Sequence, residues 1–169
     1  VNRDRDAAGR PRNARPRDSL GRPLPRGAAG EPTSPDEIAP DEAATWAEAQ
    51  RLIDAGRPFH AHEVLEARWK ATTGPERDLW RGLAQIAVGL THAQRGNPAG
   101  AVTLLRRGAQ RIRPYEAAGA GGADVAAAVK AADWLAGQIE RHGLVSLPPS
   151  ALRPRLLAQA GGGLDQSQP

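Results

Sequence analysis

Five side chains in this sequence could do chemistry together: His62, Glu63, Glu66, Gln85 and His92. Residues four apart share a helical face, so His62 stands over Glu66, and the seven-residue spacing puts Gln85 and His92 on one face of another helix. If the two faces met, a His/Glu/Gln/His set would form that suffices for a divalent metal or for general acid–base work, with Glu63 at its edge. The pattern falls short of the metal signatures. Glutamate stands four residues after His62, where a His-Glu-x-x-His helix needs histidine, and no Glu-x-x-His pair of the di-iron kind occurs. No nucleophile completes the set, because the chain lacks cysteine and Thr91, beside His92, points to a different face. The expectation is therefore no catalytic residue, no bound metal and no cofactor. His62 and Glu66 are instead expected as a buried polar network, within hydrogen-bond or one-water reach of each other, Gln85 or His92. Left half-satisfied, such a pair costs several kcal/mol, so only one docking of the helices is tolerated.

Helices must position these groups. In the stretch 58–69, Phe59, His62, Leu65, Glu66 and Trp69 fall on one face, taken as the core stripe, with His60, Val64, Ala67 and Arg68 elsewhere and His60 solvated. Before it, Asp41 is an N-cap for a helix that buries Trp46, Ala49 and Ile53 and stops at Gly56. Pro58 opens the second helix, which the run Thr-Thr-Gly-Pro (72–75) ends. A third, over about 75–95, carries Leu79, Leu83, Ile86, Ala87 and Leu90 on one face and Gly82, Gln85, Gly89 and His92 opposite. Glycines seven apart cost a helix about 1 kcal/mol each against alanine, so a close crossing is expected there, with this helix contacted on both sides. Asn97 caps a fourth helix that buries Ala101, Leu104, Leu105, Gly108 and Ile112. After a glycine-rich loop (Gly119, Gly121, Gly122), Asp124 caps a fifth that ends at His142 and Gly143.

The two helix junctions repeat. Gly56-x-Pro58-x-x-Ala61-x-x-x-Leu65 superposes without a gap on Gly96-x-Pro98-x-x-Ala101-x-x-x-Leu105, an offset of 40 residues. Glycine closes one helix, proline starts the next, alanine lets the pair approach and leucine fills the groove. The fold expected is all-α, a five-helix bundle or array with two antiparallel hairpins of tetratricopeptide-like geometry. The 40-residue offset exceeds the 34 of that repeat.

Outside the helices the composition changes. The chain has 19 glycines and 15 prolines, and residues 1–30 hold eight arginines against three aspartates. The remainder carries 15 basic and 16 acidic residues, so the high isoelectric point belongs to the arm. Residues 1–38 lack the large apolar groups needed to offset ordering entropy and are expected as a disordered Arg/Pro/Gly-rich arm. Its run Arg-Pro-Arg-Asn-Ala-Arg-Pro-Arg (10–17) suits a weak, sequence-independent contact with nucleic acid. Residues 39–143 make the helical domain. Residues 144–160 should add an extended segment and a short helix packed on it, with a disordered tail over 161–169. Trp134 is expected to point outward and to be covered by Leu144, Val145 and Leu147. Arg106, Arg107, Arg111 and Arg113 crowd the outer face and last turns of helix four, where cations complement the helix dipole. No apolar run approaches the roughly 18 residues of a membrane span, and the Arg-rich start lacks an apolar stretch, so neither membrane nor signal peptide is expected and a cytoplasmic setting fits.

With these residues in hand, the chain resembles the prokaryotic family catalogued as the domain of unknown function numbered 309. The resemblance rests on His62-Glu63-Val64-Leu65-Glu66 with Trp69, on Gly82-Leu83-x-Gln85 with Ile86-Ala87, on His92, and on Gly96-Asn97-Pro98-x-Gly100-Ala101. It covers roughly residues 45–115, implies a small all-α fold and brings no established activity. The leading expectation is a non-catalytic helical-hairpin protein that binds a protein or peptide partner. The alternatives are a metal-dependent hydrolase or small-ligand enzyme using His62, Glu66 and His92, and a nucleic-acid-associated protein using the arm.

Overall fold

The computed structural model describes residues 15–30, 41–117 and 124–156. The glycine-rich loop, the first fourteen residues and everything beyond Leu156 lie outside the described residues. Five helices account for most of the rest: α1 Glu42–Asp54, α2 Pro58–Ala71, α3 Arg77–Gln94, α4 Pro98–Ile112 and α5 Val125–His142. Short 3-10 turns follow at Arg113–Tyr115, Leu144–Ser146 and Pro149–Leu152. Among the described residues there is no β-strand beyond one isolated bridge, Arg17 to Pro23.

Local chemistry sets the helix ends. The side chains of Asp41, Asn97 and Asp124 accept from the backbone N–H groups of Ala44, Gly100 and Ala127, three residues on, and so satisfy donors that the first turn leaves orphaned. Pro58 and Pro98 open α2 and α4, where a missing N–H costs nothing. The two junctions are copies in three dimensions as well. Gly56 and Gly96 have φ of +71° and +74°, which an L side chain would strain. Each junction closes with the same pair of hydrogen bonds, Gly56 N to Ile53 O with Arg57 N to Leu52 O, and Gly96 N to Ala93 O with Asn97 N to His92 O. That is a Schellman closure twice over. Beyond it, Ala61, Leu65, Ala101 and Leu105 are all fully buried.

Consecutive helices pack on one another in chain order, and α3 lies between α2 and α4. Among the described helices its interface with α4 is the most extensive, because glycine lets the backbones touch. A β-carbon on Gly82 would run into Ile112 and stand 3.1 Å from the Gly108 carbonyl, one on Gly108 would stand 2.7 Å from the Gly82 carbonyl, and one on Gly89 would lie 2.9 Å from Leu105. The expected close crossing is therefore present. On the opposite side, Trp80 of α3 meets Trp46 of α1, both wholly buried, with ring centroids 5.0 Å apart at 46°.

α2 departs from expectation in its orientation. Its inward face is built on His60, Ala61, Val64 and Leu65, and His60 is only 5% exposed. Phe59, His62, Glu66 and Trp69, taken from the sequence as the core stripe, are only half-buried. The reason is that α2 packs against α1 and α3 at once, so its buried arc centres on the small Ala61 that both neighbours can approach. His60 is accommodated because its Nε2 accepts from Arg57 Nη2 at 3.2 Å. Leu104 is likewise half-buried, one step off the inner face of α4.

The segments flanking the helices also differ from their expected forms. Where an unpacked arm was expected, residues 15–30 form a compact turn on the helices, with Gly21 against Phe59 and the Leu20 carbonyl accepting from Arg95. Beyond α5, 3-10 turns replace the extended path, because Pro149 can start a turn but cannot continue a strand. Leu144, Leu147, Ala151 and Leu152 pack against the core and Leu156 enters it. Trp134, their expected partner, stays 49% exposed, and Val145 is fully exposed. The segment's backbone is held by α1. Gln50, 4% exposed, accepts from Leu156 N at 2.6 Å and donates to Pro154 O at 3.3 Å, while Asp124 N donates to Leu156 O at 3.0 Å. This ties α1 to the start of α5.

Ala101→Leu is expected to cost about 1–3 kcal/mol by overpacking the second hairpin, read by urea denaturation. Gln50→Ala should cost about 1–3 kcal/mol by stranding the buried Leu156 N–H. A neutral result for Gln50→Ala would show that the tail is held by its leucines alone.

Candidate functional site

The five side chains do not assemble into one site. Gln85 and His92 turn toward α4. Gln85 Oε1 accepts from Arg111 Nε at 3.3 Å, and His92 Nδ1 accepts from Asn97 Nδ2 at 2.8 Å. The Asn97 carbonyl oxygen is already taken by the Gly100 N–H, so its amide nitrogen faces the imidazole, which must carry its proton on Nε2. His92 thus braces the α3–α4 junction. Among the described residues no group of three or more histidine, aspartate or glutamate side chains is placed to hold a metal ion.

His62, Glu63 and Glu66 lie instead on the outward part of α2, beside Phe59. His62 Nε2 stands 3.8 Å from Glu66 Oε2, with the side chains 23% and 33% exposed, and Lys70 Nζ lies 3.3 Å from the other Glu66 oxygen. The pair is mostly buried and within one-water reach, as expected, but its third member is Lys70, and Gln85 and His92 bond elsewhere. Burial holds the His62 pKa below its usual 6.5, and the Glu66 carboxylate offsets part of that. Burial also raises the Glu63 carboxyl, against the pull of the Arg17 guanidinium. One Glu63 oxygen, Oε2, is shut off from solvent and makes no hydrogen bond.

What covers this face is arginine. The Phe59 ring lies under the guanidinium groups of Arg17, 5.1 Å from its centroid, and Arg95, at 5.7 Å. Trp69 is faced by Arg77 at 5.2 Å and Arg81 at 5.4 Å, and buried Trp80 by Arg68 at 5.5 Å. Such contacts contribute roughly 0.5–2 kcal/mol each, and they give half-buried aromatics a cover the core does not supply. Of the arginines crowding α4, three are committed across helices: Arg106 to Glu140, Arg111 to Asp78 at 2.8 Å and Arg113 to Asp133 at 2.7 Å. The helix dipole alone, invoked for them from the sequence, misses these pairs. Sequence reasoning also missed Gln50, Trp80 and Arg95. Trp80 had a signal, since it follows Leu79 at the start of the apolar stripe; the partners of Gln50 and Arg95, 106 and 75 residues away, had none.

Residues 46–104, from α1 into α4, match the model of the family described as "Domain of unknown function (DUF309)". The resemblance read from the His62–Glu66 and Gly96–Ala101 motifs is thereby confirmed over the stretch that contains them. Over 48 residues the chain is 44% identical to the "Uncharacterized protein YpuF" of Bacillus subtilis (strain 168), a match covering 28% of each protein. The chain thus spans well under two thirds of that relative's length. No solved structure matches. No helix among the described residues is long and apolar enough to cross a membrane.

The depressed His62 pKa has a definite consequence for stability. The unfolded chain takes up a proton near pH 6.5 more readily than folded His62 does, so acidification through 6.5 toward the lower folded value favours unfolding. The thermal midpoint should fall more between pH 7.5 and 5.5 in the wild type than in His62→Gln. Equal slopes would place His62 in a solvent-like environment.

Proposed function

We propose that this protein is a non-catalytic helical-hairpin module that binds extended segments of partner proteins. One observation carries the reading: side chains of α1 and of the α3 C-terminus grip the main chain of non-helical segments at two separate places. Gln50 of α1 offers both its amide groups to the backbone at Pro154 and Leu156. Arg95, just beyond α3, donates through Nε at 3.0 Å and Nη2 at 2.7 Å to the Leu20 carbonyl. Backbone contacts of this kind supply affinity with little demand on sequence, while neighbouring pockets for side chains supply selectivity. Hairpins stacked in the tetratricopeptide-like manner that the junction repeat suggests would extend such a surface.

The polar residues support the same reading. His92 and Gln85 are engaged with α4, and His62 with Glu66, so a reaction centre built on His62, Glu66 and His92 has no shared vacant point at which a substrate atom could sit. Selection of a displayed random twelve-residue peptide library on the purified full chain tests the proposal. Enrichment of a consensus, with micromolar binding of the synthetic peptide, is expected; no enrichment over an unrelated helical protein would refute it. Stoichiometric zinc, manganese or iron that survives dialysis and is lost in His62→Ala would replace it with the metal-dependent hydrolase.

A further inference from the structure

The outward face of α2 is where the chain shows what it can hold. Residues 15–30 form a small self-braced loop there. Leu24 N donates to Pro16 O at 2.8 Å, Asp18 accepts from Arg22 at 2.7 Å, and Arg17 Nη1 donates to the Gly21 carbonyl at 2.6 Å. Three of its features meet the helices. The Arg17 guanidinium lies over Phe59 and is near enough to Glu63 to pull its carboxyl pKa down against burial, the Leu20 carbonyl accepts from Nε and Nη2 of Arg95, and Gly21, at φ +73°, presses its backbone onto the Phe59 ring.

We propose that Phe59, Glu63 and Arg95 form a docking site for a partner segment of the type Arg-x-x-x-Gly preceded by proline, and that residues 15–30 are its intramolecular occupant. This rests on the peptide-binding reading and names the site and the ligand chemistry. Three observations set the loop apart from ordinary packing. Only Gly21 of the loop is buried, and no residue of it belongs to the hydrophobic core, so the helices are complete without it. The site suits arginine chemically: a π face for the guanidinium, and the Glu63 carboxyl close enough to feel its charge. Finally, ten residues, 31–40, stand between the loop and residue 41, so the loop is not a direct extension of α1. The tripeptide Arg-Pro-Arg also occurs twice in the arm, at 10–12 and 15–17. A tethered occupant competes at a high effective concentration, so a partner in trans sees a weakened site until the loop is displaced.

Gly21→Val in the full chain separates occupant from site. A valine at that φ, with no room above Phe59, should eject the loop and leave every helix residue untouched. Trypsin should then cut Arg17–Asp18 at least tenfold faster than in the wild type, with an unchanged helical circular dichroism spectrum. A labelled peptide of residues 15–26 should bind Gly21→Val at least tenfold more tightly than it binds the wild type, as read by anisotropy. Binding should be lost with Phe59→Ala added, and weakened with Glu63→Gln or Arg95→Gln, which keep the proposal testable should Phe59→Ala unfold. A peptide carrying valine in place of Gly21 should not bind. Equal cleavage in the two proteins would overturn the proposal, as would peptide binding indifferent to all three site variants, or no binding of the peptide to a chain whose loop has been released. Peptides selected from a random library that bind elsewhere on the helices would leave the broader function standing while this site fails.

Discussion

The rest of the structure depends on the backbone contact between α3 and α4. Gly82 and Gly108 bring the two helices so close that a methyl group on either would strike the other's carbonyl, and Gly89 admits Leu105. Each glycine weakens its own helix by about 1 kcal/mol, and tight packing across the interface offsets that. The same contact decides the fate of the polar residues. Gln85 and His92 share the glycine face, so once that face is closed against α4 they can reach only α4 partners, Arg111 and Asn97. Among the described residues, no group of three or more histidine, aspartate or glutamate side chains joins them to His62 in a place fit to hold a metal ion.

Packing α3 on both sides also fixes α2. With α1 and α3 both in contact, the inward arc of α2 takes its smaller residues, Ala61 and Val64, with Leu65 and a paired His60. The aromatic and ionisable side chains Phe59, His62, Glu63, Glu66 and Trp69 are left outside or at the edge. An arginine-rich chain has its own means of covering them. Guanidinium groups lie flat on aromatic faces, lose little hydration and still reach carbonyls and carboxylates with their donors. Arg17, Arg77, Arg81 and Arg95 all stand over aromatic rings, and Arg17, Arg77 and Arg95 donate to carbonyls as well.

Gln50 and Arg95 illustrate the complementary device. A side-chain amide or guanidinium that binds main-chain groups holds an extended segment without demanding its sequence. At the C-terminal end the hold is reinforced by Leu156 in the core, and the segment becomes part of the fold. At the N-terminal loop no side chain enters the core, and the contact with Arg95 is joined by those of Arg17 and Gly21 with Phe59.

The sequence by itself determined the local structure. Asp41, Asn97 and Asp124 as caps, Pro58 and Pro98 as helix openers, and Gly56 and Gly96 as closers are each set by backbone chemistry within a few residues. That is why all five helices and both repeated junctions were legible, and the family match, over 46–104, takes in both junctions. Rotation of α2 about its own axis was not legible, because His60/Val64 and Phe59/His62/Trp69 are both plausible stripes on a helix with two neighbours, and only the packing of α1 and α3 chooses between them. Nor was the dispersal of the His/Glu/Gln/His set, since helical spacing says which residues share a face but not which faces meet. The contacts of residues 15–30 and 144–156 were the least accessible. They join groups 75 to 106 residues apart through backbone atoms, and a backbone carbonyl leaves no mark in a sequence; only the tertiary structure could place Leu20 under Arg95 and Leu156 under Gln50.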